Sequence, residues 1–315
     1  MEQLRIGISS CLLGEAVRYD GGHKLDRFVR DTLGQYVEYV PVCPEAECGF
    51  GIPRESMHLE GEPQAPRLVT SRTQRDVTDV MLAWAHKRVA ELERENLCGF
   101  IFKSNSPSSG MERVKILGRG GMPRKIGIGV FAGVFMRHFP LIPVEEEGRL
   151  HDPVLRENFI ERIFVLKRWR EMMEQGAKMG SLVDFHTRHK LLIMAHSPKH
   201  YTSLGRLVAD GKALLEEELF REYQSLLMDA LKLSATVKKN VNVLQHLMGY
   251  FKRQLTADEK QEVLEVIEHY HQGHFPLIVP ITLINHYVRK YEQPYLKLQY
   301  YLNPHPLELQ LRNHV

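Results

Sequence analysis

The stretch LRIGISSCLLGEAVRYDGGHK, Leu4 to Lys24, decides the fold. Leu4 to Ile8 is short, apolar and β-prone, and a polar loop with three glycines follows it directly. Tyr36 to Val42 (YVEYVPV) repeats the pattern and runs into Cys43. Cys98 to Lys103 (CGFIFK) repeats it again and ends in SNSPSSG, while Ile126 to Met136 reads as a fourth strand. Helical spacing appears at Leu25 to Leu33, at Asp76 to Glu95 through Val80, Trp84, Val89 and Leu92, and at Val154 to Met173. Residues 44–75, rich in Pro, Gly and charge, read as one long functional loop. Strands that alternate with loops and helices predict an α/β domain, a mostly parallel sheet layered with helices. Ligands of such sheets bind at the carboxyl ends of strands, so the loops at 9–23, 43–55 and 104–110 are expected to converge.

Glu174 to Ser181 reads as a linker, and beyond it the pattern is helical almost throughout: 182–195, 201–210, 212–231, 233–251, 256–271, 277–290 and 294–300. An α/β domain over 1–173 and an all-α helical domain over 181–315 follow, as a chain of 315 residues leads one to expect. Hydrophobic residues at 43% and charged residues at 26% exclude a mostly disordered chain. No run approaches the roughly 18 apolar residues of a membrane span. Ile126 to Met136 is short and carries three glycines, and Glu2 and Arg5 flank a strand-like start instead of a signal peptide. The expected location is cytoplasmic.

Four cysteines are too few for a secreted disulfide scaffold, and clustered thiols in a reducing compartment suggest metal or catalysis. Cys11 follows the first strand, Cys43 the second, and Cys48 comes five residues later, all on loops expected to meet. Three thiolates without a fourth protein ligand suit a 4Fe–4S cluster with one iron not bound by protein; zinc wants four ligands, or three and water. Unconnected structural cysteines fit the spacing equally well. Cys98, in Leu97-Cys98-Gly99-Phe100, reads as a small buried hydrophobe.

SSCLLGEAVRYDGGHK at 9–24, VCPE at 42–45 and KSNSPSSG at 103–110 resemble, in order, the motifs of the thiouracil desulfidase family. The resemblance spans residues 1–160. FHTRHKLLIMAHSPKHY, 185–201, resembles the helical domain of the tRNA 4-thiouridine desulfidases within it. The resemblance implies non-redox removal of sulfur, with the open iron taking the thio sulfur and water attacking the ring carbon. It makes Glu45 the catalytic glutamate and Ser106 the catalytic serine, and it strengthens the assignment of the cysteines to a cluster. The family's third cluster cysteine lies in P-S-C-G, where this chain has Ser109. Cys48, where relatives usually have glycine, is expected to replace it, with Cys98 as the competing replacement. Arg18, Asp20, Gly21, Gly22 and Lys103 are expected at the substrate: Gly21-Gly22 for close backbone approach, Asp20 for a base edge or a helix cap, Lys103 for a phosphate.

Histidine is unevenly distributed: 11 of the 16 lie after residue 180, in the helical half. Arg188, His189, Lys190, His196, Lys199 and His200 crowd together, and Lys238, Lys239, Lys252 and Arg253 form a second set around Tyr250 and Phe251. Cations interleaved with aromatics suit RNA backbone binding and base stacking, with tRNA as the expected partner. A solvated amphipathic face gives the same pattern, and 16 basic against 14 acidic residues in 181–315 require the cations to segregate. His186 and His189 have the spacing of half a bundle metal site, without an obvious carboxylate partner set. Two other functions fit the residues: desulfidation of free thiouracil, with the helical domain mediating oligomerisation, and a non-catalytic iron–sulfur or zinc protein that binds RNA or senses redox state. Glu45 and Ser106 favour an enzyme, and the added domain favours tRNA.

Overall fold

The computed structural model describes residues 4–118, 122–211 and 214–314. Two compact units divide the chain, Met1–Asp152 and Pro153–Val315. The first is α/β. Strand β1 (Leu4–Ser9) lies between β2 (Val37–Val42) and β5 (Gly99–Phe102), with β8 (Val144–Glu146) beyond β5, and every pairing is parallel. Ile6 stands opposite Tyr39 and Gly99, and Ile8 opposite Pro41 and Ile101. Pro41 is tolerated because β2 is the edge strand. Gly7 is required by packing: a Cβ there would lie 2.2 Å from the Phe100 ring. Since all four strands point the same way, Ser9, Val42, Phe102 and Glu146 end at one edge of the sheet, and the three loops share that edge.

Residues 44–75 are more than a loop. They contain α1 (Pro44–Glu47) and an antiparallel pair, β3 (Met57–Glu60) and β4 (Arg67–Thr70). With β6 (Val114–Leu117) and β7 (Pro123–Gly127) they build a second, mixed sheet in the order β4-β3-β6-β7. Its apolar face joins Leu59, Leu68, Val114 and Ile116 to Val77 and Met81, beside and within α2 (Thr78–Leu92). Four-residue strands such as MHLE carry too little alternation to show in sequence.

Ile126 to Met136 is not a strand. β7 ends at Gly127, and α3 (Val130–His138) follows. Val130 to Phe135 are buried on every side, and a helix buried all round shows the same continuous apolar run as a buried strand. Phe131 and Phe135 are fully buried against Phe100 and Phe102, each contributing roughly 1.5–3 kcal/mol. The segment expected as the helix Leu25 to Leu33 is a π-helical turn, Phe28–Thr32, followed by a 3-10 turn, Leu33–Gln35.

The second unit is helical: α4 (Pro153–Glu174), α5 (Met179–His196), α6 (Pro198–Asp210), α7 (Glu216–Lys232), α8 (Val237–Gly249), α9 (Ala257–His271), α10 (Ile278–Lys290) and α11 (Pro294–Lys297). α4 therefore groups with the helical unit, so the division falls at 152/153 instead of near the 174–181 linker. The cause lies in its apolar face: Trp169 stacks on Tyr223 of α7 at 5.3 Å and meets Phe185 of α5 edge-on at 5.2 Å. Among the described residues, no helix is long and apolar enough to cross a membrane.

Candidate functional site

At the carboxyl edge of the parallel sheet lies a cavity of about 350 Å3, walled by the ends of β1, β2 and β5 and the loops after them. Cys11 enters it from the 3-10 turn after β1, and Cys43 from the residue capping α1. Burial pushes the Cys11 thiol up to about 11, with the Cys43 sulfur raising it further and Lys103 and Arg18 pulling it back. Burial raises the Cys43 thiol too, opposed by a backbone N–H at Ala46 and by Arg54. Both are thiols at neutral pH, in a wall whose cations favour the thiolates that a metal would require.

In the same lining as the sulfurs runs a connected polar chain. Glu45, in the first turn of α1, accepts at Oε2 from Arg54 Nε at 2.9 Å and from Arg54 Nη2. Its Oε1 accepts from Ser108 Oγ at 2.9 Å. Ser108 Oγ lies 3.0 Å from Ser106 Oγ, which accepts the amides of Ser108 and Ser109 at 3.3 and 3.1 Å. Ser108 has given its own proton to Glu45, so Ser106 donates to Ser108, and the two hydroxyls form a directed wire ending at the carboxylate. The loop is fixed from behind: Pro107 and Ser108 carbonyls accept the first amides of α3, Val130 N at 3.1 Å and Phe131 N at 2.9 Å. Gly129 permits that approach, since a Cβ there would sit 2.6 Å from the Ser108 carbonyl.

Lys103 is held inside the wall. Its Nζ donates to Glu147 and, at 3.0 Å each, to the Ser104 carbonyl and hydroxyl. Arg18 also lines the cavity, its guanidinium 5.3 Å over the Tyr19 ring. Asp20, Gly21 and Gly22 do not line it. They form an exposed turn in which Asp20 Oδ1 accepts the Gly22 amide at 3.0 Å and Gly21 supplies φ +75°. Their spacing reflects the turn, and Gly21-Gly22 stands outside the lining of this cavity.

Cys48 is likewise outside the wall. It caps the far end of α1, where its Sγ donates to the Val80 carbonyl of α2 at 3.6 Å and its side chain packs on the second sheet's core. The second sheet, invisible in sequence, draws it there. Ser109, 3% exposed, lines the cavity with Cys11 and Cys43, at the position where the sequence motif left a third donor open. Cys98 precedes β5 at the opposite end of the sheet, buried at 2%, as its apolar neighbours led one to expect.

Residues 6–147 match the family described as 2-thiouracil desulfurase, and residues 190–306 the family described as a protein of unknown function, DUF1722. The chain is 33% identical over 153 residues to the uncharacterised protein YbgA of Escherichia coli (strain K12), covering 48% of this chain and 90% of that protein. It is 32% identical over 108 residues to the uncharacterised protein YbbK of Bacillus subtilis (strain 168), covering 33% of this chain and 71% of that protein. The chain belongs to the families of these two relatives, with a 2-thiouracil desulfurase domain followed by a DUF1722 domain. Among solved structures it is similar to a [4Fe-4S]-dependent thiouracil desulfidase, TudS, at 30% identity and a TM-score of 0.40, covering 48% of this chain and 95% of that one.

Two residues of the desulfurase domain escaped sequence reasoning. Arg54 is 5% exposed at its side chain and clamps Glu45, and it also donates to the carbonyls of Val17 and Gly51 at 3.0 Å each. Ser108 is 1% exposed and links Glu45 to Ser106. The cue for Arg54 was a lone cation following Ile52-Pro53 in a loop that already held a carboxylate. The doubled serine of PSSG was the cue for Ser108.

In the DUF1722 unit, part of the basic cluster turns inward. His189 and His196 are 1% exposed, and so is Phe251. His189 donates to the Phe185 carbonyl at 2.7 Å and meets Arg168 Nε at 3.0 Å, while His186 meets the Tyr223 hydroxyl at 3.0 Å. That pair is therefore consumed in core hydrogen bonds. Lys239 closes helix ends through the His196 and Ser234 carbonyls, at 2.7 and 2.9 Å. Lys199, Lys238, Lys252, Arg253 and Tyr250 remain exposed.

Proposed function

We propose that the chain is an iron–sulfur desulfidase that removes sulfur from a thiolated pyrimidine without redox change, and that its substrate is 4-thiouridine in tRNA, converted to uridine. The observation that carries the reading is the cavity whose lining holds the Ser106–Ser108–Glu45–Arg54 chain together with Cys11 and Cys43. A redox sensor has no use for such a wire. The donor set fits a cluster: two soft thiols from adjacent strand ends, with the Ser109 hydroxyl as the third donor in the same wall and no closed four-ligand set of structural zinc. Cys11, Cys43 and Ser109 would hold it. When bound, it supplies a Lewis acid for the thio sulfur at an iron not held by protein.

The chain's own residues handle the proton. Water attacking the ring carbon gives up both protons, one to the departing sulfur, which leaves as hydrosulfide, and one to the protein. Ser106 takes the second on the lone pair freed from its longer amide contact, Ser108 N at 3.3 Å, while passing its own proton to Ser108, and Ser108 passes its proton to Glu45 Oε1, so one proton crosses the wire, Glu45 ends protonated and both hydroxyls are restored. Arg54 keeps Glu45 in register at its other oxygen. Lys103 and Arg18 contribute fixed positive charge beside the sulfurs, Lys103 through its tie to Glu147.

Exposed Lys199, Lys238, Lys252 and Arg253, with Tyr250 for stacking, support tRNA as the substrate. The test runs 4-thiouridine tRNA and free 4-thiouracil side by side on reconstituted protein of equal iron content. Charge reversal at Lys238, Lys252 and Arg253 and added salt should depress turnover of the tRNA while sparing the free base. Equal responses on both substrates would leave the free base as the substrate. A Glu45→Gln protein with full iron and an undiminished rate on both would remove the proposed wire.

A further inference from the structure

The interior of the helical unit holds a second polar centre that the desulfidase reading does not use. Glu157 and Glu161 lie one turn apart on α4, and Arg312 from the C-terminal segment bridges them, Nε to Glu157 Oε1 at 3.0 Å and Nη2 to Glu161 Oε1 at 2.8 Å. Glu161 Oε2 meets His196 Nε2 at 3.0 Å. Glu157 Oε2 lies 3.8 Å from His314 Nε2.

His305 completes the group. One ring nitrogen of His305 and one carboxylate oxygen from each glutamate all lie within 4.8 Å of one another. Its Nδ1 meets the Pro306 carbonyl at 3.1 Å, and a carbonyl only accepts, so Nδ1 carries the proton. Nε2 then keeps a bare lone pair, and it is buried without a hydrogen-bond partner. A lone pair among carboxylates is unfavourable unless a cation or a donor lies between them. A neutral imidazole whose other nitrogen is anchored on a backbone carbonyl has the posture of a metal ligand. A cavity of about 160 Å3 is lined by both glutamates and His196, though not by His305, and so lies along the carboxylate side of the group.

We propose that the helical unit binds one divalent transition-metal ion through Glu157, Glu161 and His305, tying α4 to the C-terminal segment. Two carboxylate oxygens and one imidazole, with water completing the shell, suit Mn2+, Fe2+ or Zn2+ and leave soft Cu+ unfavoured. The two glutamates do not partner His186 and His189, whose hydrogen bonds go elsewhere in the core. Their partner is a histidine more than a hundred residues away. The ion is separate from the desulfurase cavity, so its loss and the failure of the desulfidase reading are distinguishable.

The experiment titrates Mn2+ into the full chain and counts free ion by its electron paramagnetic resonance signal, because thiols compete weakly for Mn2+. Zn2+ competition then follows displacement of the bound Mn2+. Wild-type protein should take up one Mn2+ and show a raised midpoint of thermal unfolding. His305→Ala and His305→Gln, with unchanged far-ultraviolet circular dichroism, should weaken binding at least about tenfold and abolish the metal-dependent rise. Cys11→Ala should bind Mn2+ as wild type does. No uptake by wild type at millimolar metal and no change in its midpoint would overturn the proposal whatever the variants do, and would leave an ordered water at His305. Unchanged stoichiometry and affinity in both His305 variants would overturn it as well.

Discussion

Replacing Ser108 by alanine removes the link between the carboxylate and the nucleophile's side of the cavity. The wild-type hydroxyl donates to Glu45 Oε1 at 2.9 Å and meets Ser106 Oγ at 3.0 Å, with 1% of the residue exposed. Water has little access to repair the gap, so one carboxylate oxygen and one hydroxyl lose their partner together. A hydrogen bond to a charged group contributes about 1.5–3 kcal/mol. At 1.36 kcal/mol per tenfold, turnover should fall roughly 10- to 150-fold. Because Ser108 offers no thiolate, iron content after anaerobic reconstitution should match wild type, and the loss should appear in kcat with KM for 4-thiouracil little changed. The assay follows the ultraviolet absorbance of 4-thiouracil under anaerobic conditions, normalised to iron. A Ser108→Ala protein with full iron and a rate within about twofold of wild type would refute the wire from Ser106 to Glu45.

Cys48→Ala should retain the iron and the visible absorption of wild type, whereas Cys11→Ala and Cys43→Ala should lose both; iron loss from the Cys48 variant would restore it as a ligand. Ser109→Cys should slow loss of iron to a chelator, since thiolate is the stronger cluster donor, and an unchanged rate would remove residue 109 from the cluster. Arg54→Gln leaves Glu45 buried without its partner and should cost about 3–5 kcal/mol in urea unfolding, the penalty for breaking a buried ion pair. His186 is held down to about 4 by burial and Lys190, from an ordinary 6.5. The unfolded chain therefore binds a proton the folded one refuses, so stability is full above about pH 6.5 and falls toward pH 4. Between pH 7 and 5 the loss should reach about 2 kcal/mol, and His186→Phe should flatten the pH dependence of the urea midpoint.

The parallel sheet and its functional edge were legible in sequence because they depend on local order. β1, β2 and β5 are short apolar runs, each followed at once by its polar loop, and parallel pairing then forces Cys11, Cys43 and the Ser106 loop to one side. Helices α5 to α10 were legible through their 3.6-residue period. α3 was not, because a helix buried on every side has lost the polar face that reveals its period. The second sheet was not either, since strands of four residues owe their existence to partners far away in the chain.

That second sheet decided the site's composition. Five residues of spacing allow Cys48 to stand beside Cys43 or to turn away. Leu59, Leu68 and Met81, brought together by tertiary packing, make the apolar surface that takes it. The sequence by itself determined which chemistry is present: thiols, a carboxylate and serines on loops that share one sheet edge. Tertiary structure alone decided which of them meet, through the Ser108 bridge, the Arg54 clamp and, in the helical unit, the pairing of Glu157 and Glu161 with His305. The physical reason is range. Periodicity and spacing report forces that act over a few residues, whereas a buried polar group takes its partner from whatever the folded chain brings within about 3 Å.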